Sequence, residues 1–262
     1  KGQWKKTKKK TKLLTGIKAL RKENPEVFKF YLKLFVNASS FFCIIIIQTS
    51  SYLRFVAISD THCRHNIKLP KGDVLLHAGD VSYKGQQYEV IDFLNWFDKL
   101  KYAHKIFIAG NHDFFFEKQK KKEIDKLIPK SVTYLNDSEV VINGIKIWGS
   151  PITPWFFNWA FNRKRGAPIK KHWDLIPPDT DILMTHGPVY GIHDTVLNGR
   201  HAGCMDLLEK VKEVKPKVFL CGHIHEAYGV TKQYGIRFIN ASVLNESYEL
   251  VNKPVVFDLF KT

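Results

Sequence analysis

Five stretches of this chain repeat one pattern: an apolar run of strand length that ends on a side chain able to hold a metal or carry a proton. Residues 55–59 (FVAIS) lead into Asp60-Thr61-His62, and residues 74–78 (VLLHA) into Gly79-Asp80. Residues 105–109 (KIFIA) precede Gly110-Asn111-His112-Asp113, 181–185 (DILMT) precede His186-Gly187, and 217–221 (KVFLC) precede Gly222-His223-Ile224-His225. Short apolar runs bounded by such turns read as buried strands. Ligands of open α/β sheets gather beyond the carboxyl ends of the strands, so five strands delivering polar groups from the same end describe one site.

Between these runs the apolar residues switch to helical spacing. Val90, Ile91, Phe93, Leu94, Phe97 and Leu100 share a face over 88–100, and Met205, Leu207, Leu208 and Val211 do so over 204–214. Short strands are expected at 132–135, 140–143, 145–148, 236–240 and 255–260, with Asn143-Gly144 as a tight hairpin turn. Residues 155–164, rich in aromatics, read as a loop or short helix that packs or lines a cleft. With 262 residues, 44% of them hydrophobic, the chain has core enough for one large α/β domain at 54–262.

Residues 1–53 differ. The first 33 carry twelve Lys or Arg against Glu23 and Glu26, net +10, leaving +6 of the chain's +16 for the remainder. This basic tail is expected to be a solvated arm, with nucleic acid or anionic lipid as the alternative partner. Residues 34–53 hold no charge, so a membrane anchor is weighed there. Seven polar residues dilute the run and a core strand must start at Arg54, which favours a packed or non-native segment instead. The first residue is Lys1 and the methionines are Met184 and Met205, as expected of a stretch from within a longer product. Cys43, Cys63, Cys204 and Cys221 form no close pair, which suits a reducing, cytoplasmic setting.

The candidate ligands are Asp60, His62, Asp80, Asn111, His186, His223 and His225. Carboxylates, an amide and imidazoles without thiolate suit Mn²⁺ first, then Fe or Zn²⁺. Seven groups exceed what one ion takes. Two divalent ions sharing a carboxylate are therefore expected, and a pair about 3.5 to 4 Å apart clamps a phosphoryl group. Asn111 would fill coordination without lowering the positive charge that attracts phosphate. If the segments stay extended, the strand period puts Asp60 with His62, and His223 with His225, on common sides. His77, inside its run, reads as core, and His65, His104 and His172 as surface. The loop after His186 holds His193, Asp194, Asn198, Arg200 and His201; His193 and Arg200, with Arg64 and Asn111, are candidate substrate contacts.

Asp60-x-His62, Gly79-Asp80, Gly110-Asn111-His112-Asp113, His186 and Gly222-His223-x-His225, in that order, resemble the signature of the calcineurin-like metallophosphoesterase superfamily. Within it, Thr185-His186-Gly187-Pro188, Gly222-His223-Ile224-His225-Glu226 and Ile239-Asn240-Ala241-Ser242 are similar to the metallophosphoesterase-domain-containing, brain 239-type proteins and their microbial relatives. The resemblance implies an α/β fold, a four-layer sandwich of two mixed β-sheets flanked by helices. It implies Asp60, His62 and His225 on one metal, Asn111, His186 and His223 on the other, and Asp80 bridging. By the same resemblance, hydroxide held between the metals attacks phosphorus in line, while His112, left free, contacts the phosphate and acts as acid. Asp113 stands where relatives often carry Glu, a shorter carboxylate that bears on how His112 is held. Asn240 enters only through this resemblance. The expected activity is hydrolysis of phosphodiesters, including cyclic nucleotides. The alternatives are phosphomonoester or protein-phosphate hydrolysis, nuclease action, and a weakly active nucleotide-binding scaffold, the last disfavoured by the intact His223.

Overall fold

The computed structural model describes residues 52–260. The basic tail and nearly all of the 34–53 segment lie outside the described residues. Its last two members, Tyr52 and Leu53, already belong to the first strand, where Tyr52 pairs with Phe260. In chain order the elements are β1 Tyr52–Ile58, β2 Val74–Ala78, α1 Gln87–Lys99, β3 His104–Ile108, α2 Phe114–Lys118, α3 Lys121–Leu127 and β4 Val132–Leu135. Then come β5 Ser138–Ile142, β6 Ile145–Ser150, β7 Thr153–Pro154, β8 Asn162–Arg163, α4 Ala167–Trp173 and β9 Ile182–Thr185. The last are α5 Met205–Val214, β10 Val218–Cys221, β11 Gly229–Gln233, β12 Ile236–Asn240 and β13 Val255–Phe260.

Two mixed sheets result. The first runs β13-β1-β2-β3-β4, parallel except for β13; the second runs β11-β12-β10-β9-β6-β5, parallel except for its edge strands β11 and β5. Strand alternation sorts their apolar residues into two cores. Phe55, Ala57, Leu76 and Ile106 of the first sheet pack with Ile147, Met184, Leu220 and Ile239 of the second. The residues between them, such as Val56, Leu75 and Phe107, turn to the other side and meet Val90, Phe93 and Phe97 of α1. In the second sheet Leu183, Phe219 and Phe238 turn outward with Leu207 and Val211 of α5. The order helix, sheet, sheet, helix is the expected four-layer sandwich, and each fully buried Phe, Leu or Ile contributes roughly 1.5–3 kcal/mol to it.

Asn143 and Gly144 join β5 to β6 with positive φ at both, the geometry of the tight hairpin turn. Residues 155–164 form no helix: β7 and β8 pair in parallel and hold the aromatic stretch between them as a loop. The parallel strands of both sheets send their carboxyl ends to one edge. There Ser59, just past β1, bridges Ser242, just past β12, so the sheets meet where the polar turns emerge.

Candidate metal centre

The strands stop before the ligands begin. β1 ends at Ile58, and Asp60 and His62 follow with φ of 56° and 42°; Asp80 has 54° and His223 has 69°. Left-handed backbone at non-glycine residues carries strain that collects at functional sites. Asp60 with His62, and His223 with His225, therefore do not converge through the strand period, because neither segment stays extended: His225 opens a 3₁₀ turn. They converge through tight turns. Asp60 N donates to Gly79 O at 2.9 Å and His62 N to Asp80 O at 3.1 Å, tying the first turn to the second. His223 N donates to the Asp60 carboxylate at 3.0 Å, and Ser59 Oγ to its Oδ2.

Glycine is required where the turns touch. A Cβ at Gly110 would lie 2.3 Å from Asp80 Oδ1, and one at Gly222 would lie 2.1 Å from Asp60 Oδ2. Both carboxylates are thus packed against bare backbone.

Four of the imidazoles share one orientation. His62 Nδ1 faces Ser82 O at 3.1 Å, His112 Nδ1 faces Tyr83 O at 2.8 Å, His186 Nδ1 faces Ala78 O at 2.9 Å, and His225 Nδ1 faces Asn245 O at 2.9 Å. A carbonyl only accepts, so each Nδ1 carries the proton and each Nε2 is turned inward, as in ligating histidines oriented by a backbone partner. His62 Nε2 is buried and has no hydrogen-bond partner. Asp80 Oδ2 lies 3.6 Å from it and 3.3 Å from His186 Nε2, while Asp60 Oδ1 lies 3.5 Å from His225 Nε2. Asn111 Oδ1 is 2.8 Å from His186 Nε2. Asp60–His62–His225, Asp80–His186–His223 and His62–Asp80–His112 each bring one ligand atom per residue within 4.8 Å of one another. A buried, unpartnered nitrogen aimed at carboxylate oxygens, in a set of N and O donors without thiolate, fits divalent cations.

Electrostatics set the protons. Burial pushes His62 down to about 4 against the pull of Asp80 and Asp60, and burial with the neighbouring His186 takes His223 to about 3. Burial also works against His186 and His225, yet Asp80 and Asp60 respectively outweigh it and hold each up at about 9. Hydrogen bonds and imidazoles keep both carboxylates below the usual range despite burial.

Asp113 is the residue whose part the sequence showed least. Fully buried, its Oδ2 accepts from Val81 N at 3.1 Å and Gly110 N at 2.8 Å, and its Oδ1 from Ser82 N at 2.9 Å and Ser82 Oγ. It joins the turn after β2 to the turn after β3 and so fixes His112, whose backbone N donates to Asp80 Oδ1 at 2.8 Å. Burial, then Asp80, pushes its carboxyl up to about 6. Trp159, within the aromatic stretch expected to pack or line a cleft, stacks its ring on His112 at 4.3 Å. Asn240 is buried and donates from Nδ2 to Ile224 O at 2.8 Å, holding the turn that carries His223 and His225.

The remaining expectations divide. His77 is core, its Nε2 facing Thr61 Oγ1 at 3.0 Å and its ring edge-on to Phe93. His65 is not a surface residue: its ring stacks on Trp96 at 4.6 Å with the side chain only 15% exposed, because Trp96 offers an apolar face there. His172 is half-buried against Asp137 and His104 half-buried in β3. His193, expected near substrate, has both ring nitrogens engaged, Nδ1 with Ala227 O and Nε2 with Thr231 Oγ1, so it anchors its loop. Asp194 folds the same loop by accepting from Gly191 N, Gly203 N and His201 Nδ1. Arg200 is exposed and bonds Asn198 of its own turn, and Arg64 is exposed beyond His62. Neither is brought onto the ligand groups by a hydrogen bond. Among the described residues no helix is long and apolar enough to cross a membrane.

Known proteins resemble this chain in sequence and fold. The calcineurin-like phosphoesterase family matches residues 53–227. Metallophosphoesterase domain-containing protein 1 of Homo sapiens is 41% identical over 232 residues, covering 79% of this chain and 71% of that protein. UPF0046 protein T07D4.2 of Caenorhabditis elegans is 38% identical over 238 residues, 79% of this chain and 60% of that one. A solved structure only 13% identical superposes with a TM-score of 0.56 over 81% of this chain and all of its own, which supports the fold alone. The ordered motifs, the two-sheet sandwich and the match across most of the described residues make this chain a member of the calcineurin-like phosphoesterase family, whose members are phosphoric ester hydrolases.

Proposed function

We propose that this chain is a phosphodiesterase that works with two divalent ions, manganese foremost, on diesters and nucleotides, cyclic ones included. One observation supports it above the others: His62, His112, His186 and His225 all place Nδ1 on a backbone carbonyl, so that Nε2 of each converges on Asp60 and Asp80. In this reading Asp60, His62 and His225 hold one ion, Asn111, His186 and His223 the other, and Asp80 lies between them. Divalent ions so held polarise phosphoryl oxygens and lower the pKa of bound water.

The chain's own part is position and proton transfer. His223 N and Ser59 Oγ fix the Asp60 carboxylate, and His112 N fixes Asp80 Oδ1, leaving Oδ2 toward His62 and His186. His112 is half-buried, unlike the seven ligands' buried majority, and as the doubly protonated imidazolium it would give the Nε2 proton to the leaving oxygen and return to the neutral ring, while Tyr83 O keeps Nδ1–H in place. A positioned acid of this kind contributes roughly 10² to 10⁴ in rate. His112→Ala in the Mn²⁺-loaded protein should lose that factor on bis(p-nitrophenyl) phosphate with metal content unchanged. Absence of diester hydrolysis by the loaded wild type, with p-nitrophenyl phosphate turned over instead, would replace the diesterase by a monoesterase.

A further inference from the structure

Residues 155–157 present three consecutive large aromatics to solvent: Trp155 is 54% exposed, Phe156 58% and Phe157 71%. Apolar surface left in water is unfavourable and, where contiguous, marks a binding site. The loop is firmly built. Buried Asn162 donates from Nδ2 to Phe156 O at 2.9 Å and Phe157 O at 3.1 Å, and accepts from Thr153 Oγ1 at 3.0 Å. Phe157 is held at φ 50°, a left-handed conformation that bulky residues seldom adopt. A specific frame thus keeps the rings facing outward.

That frame is attached to the metal centre. Ala160 N donates to Asn111 O at 3.0 Å, and Trp159 lies 4.3 Å from the His112 ring at 28°, with Phe114 6.0 Å beyond. Phe114, Phe156, Phe157, Asn158 and Trp159 line an open groove of about 520 Å³. Lys118 Nζ stands 4.8 Å over the Phe114 ring and gives the groove a cationic rim. Trp159 is the wall shared between this groove and His112.

We propose that the groove binds a planar aromatic group, a nucleobase or aryl ring, carried by the phosphoester whose phosphate lies at His112. This rests on the phosphoester reading above and adds the place, and the side chains, that would hold the ring of such a substrate. Aromatic rings lining an open groove, here Phe156 and Phe157 set edge to face at 77°, offer face and edge contacts to a flat π-system. A lipid surface is the competing occupant, but the open groove shares a wall, Trp159, with the reacting histidine, which suits a substituent of the substrate better than a bilayer.

The test titrates the Mn²⁺-loaded full chain with adenosine 5′-monophosphate, ribose 5-phosphate and adenosine, reading heat and tryptophan fluorescence. The monophosphate should bind roughly tenfold or more tighter than ribose 5-phosphate, the size of one stacked base, and adenosine alone should quench. The double variant Phe156→Gln, Phe157→Asn alters exposed positions, with Asn tolerating the left-handed backbone. It should abolish the preference and the quenching while ribose 5-phosphate binds as before. Equal binding of the two phosphates by the wild type, or a preference that survives in the variant, overturns the proposal. So does loss of phosphatidylserine-vesicle binding in the variant with the preference intact, which would assign the rings to a membrane. Adenosine quenching without any ribose 5-phosphate binding would instead remove the phosphoester reading and leave the aromatic site standing.

Discussion

Replacing Asp113 by Asn tests whether one buried carboxylate holds the metal turns together. If the new amide nitrogen takes the place of Oδ2, it faces two backbone donors, Val81 N and Gly110 N. In the place of Oδ1 it faces Ser82 N and Ser82 Oγ, and the hydroxyl can turn to become an acceptor. The second orientation is the better one, and even it strands one buried backbone N–H and sets two donors against each other. A stranded buried donor costs about 1–3 kcal/mol, and the surviving bonds lose their charge assistance. The variant should therefore be less stable by roughly 2–4 kcal/mol in urea unfolding at pH 7, with a lower kcat as His112 loses its anchor. Asp113→Ala strands three backbone donors, a loss comparable to much of the ~5–15 kcal/mol that holds a domain folded. Asp113→Glu keeps the charge but adds a methylene at a position with no exposure, an overpacking penalty of roughly 1–3 kcal/mol. A change in Asp113→Asn below about 0.5 kcal/mol, with unchanged kcat, would refute the reasoning.

Three further outcomes are expected. Gly222→Ala brings a Cβ within 1.7 Å of Ser59 Oγ and 2.1 Å of Asp60 Oδ2, so Mn²⁺ affinity in chelator competition should fall by roughly 10- to 100-fold; unchanged affinity would mean the turn yields freely. Asn240→Ala removes the donor to Ile224 O and the acceptor for Ser242 N, and should lower stability by roughly 1–3 kcal/mol and loosen metal binding through His225, both measurable by calorimetry. His77 is pushed by burial from 6.5 to about 3, so between those values the unfolded chain takes up a proton that the folded chain refuses. The stability it lends is whole above pH 6.5 and lost as pH falls, at about 1.4 kcal/mol per unit. His77→Gln should flatten the acid limb of Tm against pH, and an unaltered limb would contradict the assignment.

What the sequence disclosed follows the physics of each element. Runs such as Val74–Ala78 and Val218–Cys221 are buried throughout, so their apolar character is continuous and legible. β11, Gly229–Gln233, is an edge strand exposed along most of its length, and only its pairing with β12 defines it. α2 and α3 are too short to show a period. At the site, residue type and order were sufficient to pick out the candidate groups, Asp60, His62, Asp80, His186, His223 and His225, that the structure brings within reach of one another. The route by which they meet was not legible: Asp and His enter the left-handed region more often than most side chains, but most of them stay out of it, so the turns at Asp60, His62, Asp80 and His223 could not be told from extended segments. Hydrogen bonds between distant turns, such as those of Asp113 to Val81 and Ser82, likewise have no local pattern.

The seven candidate ligands are divided between the two halves of the sandwich, Asp60, His62, Asp80 and Asn111 on turns of the first sheet and His186, His223 and His225 on turns of the second. His186 Nδ1 on Ala78 O and His223 N on Asp60 already stitch the halves at that edge. Any ion clasped among them becomes a rivet across the seam, so a descendant that gave up turnover would still have mechanical reason to keep the same histidines.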